Sequence, residues 1–113
     1  MLPKKRRIKK REFSELLARG AYGASPLFSV RIGRSEPNTP TTFAIVVSKK
    51  VSAMAVDRNK LRRRCYHVLR DLAPKIKDSH KIVFFVKKGV EKLSFAELSE
   101  NIRAILERGN LIH

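Results

Sequence analysis

Tryptophan is absent from this sequence, cysteine occurs once, and only 10 Asp or Glu residues stand against 26 Lys or Arg. A lone Cys65 cannot close an intramolecular disulfide, so no covalent staple is expected and a reducing, cytoplasmic setting follows. No basic start leads into an apolar run with a small-residue cleavage site, which agrees with that expectation. No apolar stretch approaches the roughly 20 residues needed to span a bilayer, and Ile82 to Val86 is only strand length. The shortage of acids is sharpest where a nuclease would need them. None of the three strand-like segments contains Asp or Glu, so carboxylates converging on Mg²⁺ are not expected. Glu12 with Glu15 and Glu97 with Glu100 are i, i+3 pairs on outer helix faces and read as solvated. His67, His80 and His113 are too scattered for a metal site or a nucleophile and base pair, and no Gly-rich phosphate loop is present. No catalytic residue and no metal ligand is therefore assigned. Cys65 falls on an apolar helix face and reads as a small core residue.

What the sequence has in excess is positive charge, a formal +16 over 113 residues. Hydrophobic residues make up 42% and occur in runs, so the chain is read as one folded domain, 1–113, opened by a basic segment at 1–11. Residues 1–11 hold Lys4, Lys5, Arg6, Arg7, Lys9, Lys10 and Arg11 without an acid. Residues 49–70 hold Lys49, Lys50, Arg58, Lys60, Arg62, Arg63, Arg64 and Arg70 against Asp57 alone. Together the two windows carry +14 and leave the other 80 residues nearly neutral. Two such clusters on a balanced domain are the footprint of a polyanion-binding surface. Neither has the bulky apolar face of an interfacial membrane anchor, so nucleic acid is the expected partner.

Periodicity gives six elements. Phe13, Leu16 and Leu17 recur at helical spacing before Gly20, predicting a helix over Glu12 to Arg19. Leu27 to Gly33 alternates as a half-buried strand, and Ser35 to Thr41, with Pro37, Asn38 and Pro40, punctuates a hairpin to the next strand. Phe43 to Val47 and Ile82 to Val86 are continuous apolar runs, expected to be central strands covered on both faces. Between them a helix over Val56 to Leu72, closed by Pro74, places Leu61, Cys65, Val68, Leu69 and Leu72 on one face. At 100° per residue Asn59, Arg63 and Arg70 point directly away from that face. Arg58 and Arg62 lie on one flank, Lys60 and Arg64 on the other. A capping box, Ser94 with Glu97, opens the last helix, which runs through Leu98, Ile102, Ile105 and Leu106 to Gly109. The order αββαβα fits an α+β two-layer sandwich, helices on a small mixed sheet.

The run Ser48, Lys49, Lys50 followed by Ala55, Val56, Asp57, Arg58, Asn59, Lys60, Leu61, Arg62, Arg63 resembles the signature of the protein subunit of bacterial ribonuclease P. The likeness extends from Arg7 to Phe13 (R-I-K-K-x-E-F), through Val86 to Gly89 (V-K-K-G), to the last helix. Lys60 stands where the family's triplet usually has its second arginine, keeping the charge but replacing a planar fork by a point donor. The resemblance implies a left-handed βαβ crossover of the ribosomal-protein-like kind, with the arginine-rich helix inside it. It implies a small protein bound to a catalytic RNA subunit, the pair removing the 5′ leader of precursor tRNA. The RNA performs the chemistry and holds most of the Mg²⁺. Lys49, Lys50, Arg58, Asn59, Lys60, Arg62 and Arg63 are then the RNA-subunit contacts. Phe13, Leu17, Arg31, Lys87 and Lys88 line the site for the single-stranded leader. Leu17 and Arg31 stand where relatives often carry aromatics, so stacking is expected to be weaker here and electrostatics stronger. Phe13 is equally consistent with a core residue on an amphipathic helix.

Other readings stay open at this level. A ribosomal or other structural RNA-binding protein would carry the same charge pattern. A duplex-DNA reader would need a short helix, turn and second helix, a spacing the sequence lacks, so DNA is not an expected partner. A small independent nuclease would need residues that the sequence does not supply.

Overall fold

The computed structural model describes residues 7–113, so Lys4, Lys5 and Arg6 of the basic opening lie outside the described residues. Seven elements follow one another: α1 (Lys10–Arg19), β1 (Ala21–Ala24), β2 (Phe28–Arg34), β3 (Thr42–Val46), α2 (Ala55–Leu72), β4 (His80–Val86) and α3 (Phe95–Arg108). The four strands make one mixed sheet in the order β1-β2-β4-β3. β4 runs antiparallel to β2, with Phe28 opposite Val86, and parallel to β3, with Phe43 opposite Ile82. The β3–α2–β4 connection is thus a crossover between adjacent parallel strands, and the arginine-rich helix is its body.

Two sequence expectations are corrected here. The segment 35–41 does not turn a hairpin, because β4 inserts between β2 and β3. This segment is held instead by the start of β4 and the residue before it: the Thr39 carbonyl accepts from the Ser79 N–H at 2.8 Å, and the buried Thr41 hydroxyl accepts from the His80 N–H at 3.2 Å. Such contacts are distant in sequence and leave no local signature. Nor is β3 central. It lies at the sheet edge, with Phe43, Ile45 and Val47 buried and Thr42, Ala44 and Val46 only partly covered. Its outer edge is blunted by the chain's own opening residues and by α2. Ile8 N–H donates to the Phe43 carbonyl at 2.9 Å, and Ile45 N–H donates to the Tyr66 hydroxyl at 3.1 Å. β4 does match its expectation, with Ile82, Val83 and Phe84 fully buried in the middle of the sheet.

Strand alternation divides the apolar side chains between two sheet faces. Phe28, Val30, Phe43, Ile45, Ile82, Phe84 and Val86 form one core with α2 and α3. From α2 that core takes Leu61, Cys65, Val68, Leu69 and Leu72, the face expected from spacing; from α3 it takes Leu98, Ile102, Ile105 and Leu106. The other sheet face receives α1 through Leu16, which is buried. A Cβ added at Gly20 or Gly33 would come within 2.7 or 2.6 Å of the Leu16 Cδ1, so the two glycines make the room that lets α1 settle there. The capping box at α3 forms as the sequence indicates. Glu97 N–H donates to the Ser94 hydroxyl at 3.2 Å, and Ser94 N–H to the Glu97 carboxylate at 3.0 Å.

Candidate nucleic-acid interface

Two surfaces carry the side chains singled out by sequence. The first is the outer side of α2 with the turn before it. Asn59, Lys60, Arg63 and Arg70 are exposed, while Arg58, Arg62 and Arg64 are half-buried on the flanks, as a helix with one apolar face requires. Lys49 and Lys50 are exposed on a tight turn at the end of β3, closed by Val51 N–H donating to the Ser48 carbonyl at 3.1 Å.

These cations are held to different degrees. The Arg58 Nη1 donates to the Ser52 and Ala53 carbonyls at 3.0 and 2.8 Å, pinning the loop between the lysine turn and the helix. Part of its fork is therefore committed to the fold. Arg62 donates to the Asn59 side-chain carbonyl, which orients both groups along one flank. Arg63 and Lys60 are exposed and make no hydrogen bond or ion pair among the described residues. Beside them is a recess of about 570 Å³ lined by Arg7, Val56, Asn59, Arg62, Arg63 and Tyr66. Arg7 lies 6.0 Å from the centre of the Tyr66 ring, a cation–π distance that brings the two basic windows of the sequence together. Sequence reasoning missed Tyr66, whose hydroxyl accepts the β3 edge N–H while its ring forms part of this wall. Its place beside the apolar face of α2 gave no polar signal.

The second surface is the sheet face that carries α1. Phe13 is half-buried, outside the main core, with its ring centre 6.4 Å from that of Phe85 at a 52° tilt. Leu17, one helical turn on, is 39% exposed. By register Ser29 lies opposite Phe85 and the half-buried Arg31 opposite Val83, so both flank this patch. Lys87 is drawn elsewhere, its ammonium donating to the Ser25 carbonyl at 2.7 Å, and Lys88 is exposed beside it. The structure therefore joins Phe13, Leu17 and Arg31 on one face and ties Lys87 to the β1–β2 turn. Phe85, 72 residues from Phe13, is the member that sequence reading missed, because an apolar residue within a continuous strand run carries no sign of which helix it will meet. At the rim, Glu12 pairs with Lys81 at 2.9 Å. The Lys81 hydrogen bond, helped by the Lys9 N–H, holds the Glu12 carboxyl below the usual carboxylate range against the opposing effect of burial.

No group of three or more His, Cys, Asp or Glu able to hold a metal ion occurs among the described residues. His67 pairs with Asp71 at 3.4 Å, both exposed, and Cys65 is buried in the core with its thiol pushed up to about 12 by desolvation. No helix among the described residues is long and apolar enough to cross a membrane.

Residues 2–110 match the family model described as Ribonuclease P. The ribonuclease P protein component of Pseudanabaena sp. is 34% identical over 114 residues, covering 100% of this chain and 98% of that protein. The ribonuclease P protein component of Streptomyces avermitilis is 33% identical over 117 residues, covering 96% and 94%. Among solved structures, a Staphylococcus aureus RNase P protein superposes with a TM-score of 0.82 at 20% identity, covering 97% of this chain and all of that one. The RNase P protein from Thermotoga maritima gives a TM-score of 0.79 at 23% identity over 90% and 96%.

Proposed function

Because the chain belongs to the ribonuclease P protein family, we propose that it grips a catalytic RNA subunit with α2 and holds the 5′ leader of precursor tRNA on the α1 face. Its role is that of a protein component of an endoribonuclease in tRNA 5′ maturation, partnered with the RNA subunit. The observation that carries the assignment of surfaces is the run from Arg58 to Arg64, five cations at helical spacing without an acid. Like charges so placed repel one another and weaken an isolated helix, and a polyanion turns that repulsion into attraction.

The chemistry belongs to the RNA in this account. Mg²⁺ would be held mainly by phosphates of the RNA subunit, as the resemblance to the family implies. The protein contributes binding. Arg62, Arg63, Lys60 and Asn59, with Lys49 and Lys50 on the adjoining turn, meet the phosphate backbone of the RNA subunit. Arg58 also positions the turn that carries the lysines. On the other face, Phe13 and Phe85 offer an apolar platform to a leader base, with Leu17 beside it and Arg31, Lys87 and Lys88 near its phosphates. Such an assembly works in the cytoplasm and needs neither DNA nor a membrane.

The test is a pair of affinities for the reconstituted complex, one for precursor tRNA and one for mature tRNA. A leader held by stacking and charge adds about 1–3 kcal/mol to precursor binding, and Phe13→Ala removes most of that difference while leaving mature tRNA unaffected. Equal affinities for the two tRNAs in the wild-type complex would overturn the leader site.

A further inference from the structure

Phe95, the first residue of α3, is 42% exposed and is the only aromatic among the exposed large hydrophobic side chains of the described residues. It does not stand alone. With Lys60, Arg63, Arg64 and His67 from α2 it lines a notch of about 390 Å³ between the two helices. This notch is on the Lys60 and Arg64 flank of α2, away from the Arg58 and Arg62 flank and away from the α1 face. The ring is held in place, since His67 meets it nearly edge-on at 5.1 Å and 74°. Arg64 is fixed too, donating to the Leu93 carbonyl at 2.7 Å, two residues before Phe95. Lys60 and Arg63 make no hydrogen bond or ion pair among the described residues. Of the acids on these two helix segments, Asp71 is taken up by His67 at 3.4 Å and Arg70 at 3.7 Å, and the Glu97 carboxylate accepts from the Ser94 N–H at 3.0 Å.

We propose that this notch binds an unpaired nucleotide of RNA, its base stacked on Phe95 and its phosphates met by Lys60, Arg63 and Arg64. An aromatic ring ringed by cations matches the two halves of a nucleotide, a π-face and an anionic backbone. An acidic peptide would use the cations but leave the ring in water. Duplex RNA keeps its bases stacked and could offer only phosphates. The inference rests on the ribonuclease P reading and adds to it a third contact, one that selects a single-stranded segment.

The experiment uses the full chain and hexa-adenylate as the probe, followed by NMR through the ring resonances of His67 and Phe95. Both should shift and saturate together as the oligonucleotide is added. Phe95→Leu, which keeps an apolar side chain but removes the ring, should weaken the affinity reported by His67 about tenfold. Phe95→Tyr should restore it to within about twofold. Because Phe95 is partly exposed, both variants should melt with the wild type, and melting curves confirm that the folds compared are the same. A hexa-adenylate that shifts Phe13 and Phe85 but leaves His67 and Phe95 unmoved would overturn the notch, as would equal affinities for wild type and Phe95→Leu. If the wild-type chain still binds the ribonuclease P RNA in that case, the family role stands and only the notch fails. If it does not bind that RNA, both fail.

Discussion

Arg58 and Arg63 are five residues apart on the same helix, yet one is bonded to its own loop and the other is exposed, with no hydrogen bond or ion pair among the described residues. Their substitution should therefore separate two effects. Arg63→Ala should leave stability within about 0.5 kcal/mol of wild type, as for an ordinary surface change, and weaken RNA-subunit binding by roughly 1.5–3 kcal/mol. Arg58→Ala should cost binding as well, but also about 1–2 kcal/mol of stability, because the Ser52 and Ala53 carbonyls lose their donor. Urea titrations beside filter binding of both variants check this, and equal stabilities would show that the loop does not depend on Arg58. Cys65 makes a simpler case. Burial holds its thiol protonated up to about 12, so at pH 8 a thiol-alkylating reagent should label the native chain only as fast as the chain unfolds. Labelling at the rate of a free thiol would contradict that burial.

At the scale of elements, α1 is attached to the sheet by Leu16 and by the Glu12–Lys81 pair, and the pair gives the attachment a pH dependence. Lys81 lowers the folded-state pKa of Glu12 below its unfolded value near 4.5. The stabilisation is thus present above that value and is lost as pH falls through the folded pKa. Glu12→Gln should melt below wild type at pH 7, with the gap closing in stronger acid; a gap independent of pH would show that the ion pair is not its source. At α3, Ser94→Ala removes the acceptor for the Glu97 N–H and should cost about 1 kcal/mol, read from the shift in urea midpoint. These elements were unequally legible from sequence. The Ser94 and Glu97 box was readable because a cap is completed within four residues. The apolar face of α2 was readable because a single helix sets its own period. The hairpin expectation failed because the segment after β2 is held by Thr39 meeting Ser79 and Thr41 meeting His80, contacts about 40 residues apart that no local pattern records. β1 passed unnoticed since Ala21–Ala24 is four residues long and has no alternation of apolar and polar side chains. The basic half of the candidate site followed from helical geometry, whereas Phe85 and Tyr66 are brought to it by tertiary packing alone.

For the molecule as a whole, the asymmetry of charge is the governing feature, with +14 of the +16 in two sequence windows. The fold draws those windows together where Arg7 lies over Tyr66. If about six to eight phosphates are met by these groups, the logarithm of RNA-subunit affinity should fall against the logarithm of salt with a slope near −5 to −7. A slope shallower than about −2 would mean that the cations are not in contact with phosphates. Charge, however, only brings the RNA to the protein, and a structural RNA-binding protein would share that slope. Cleavage of precursor tRNA by the RNA subunit at low Mg²⁺, measured with and without this protein, tests the central claim most directly. The account predicts that added protein restores release of the 5′ leader, and that Glu12→Ala, Asp57→Ala, His67→Ala, Glu97→Ala and Glu100→Ala variants that fold and bind the RNA still do so. Cleavage by the protein without the RNA, or no effect of the protein on the RNA's cleavage, would contradict it.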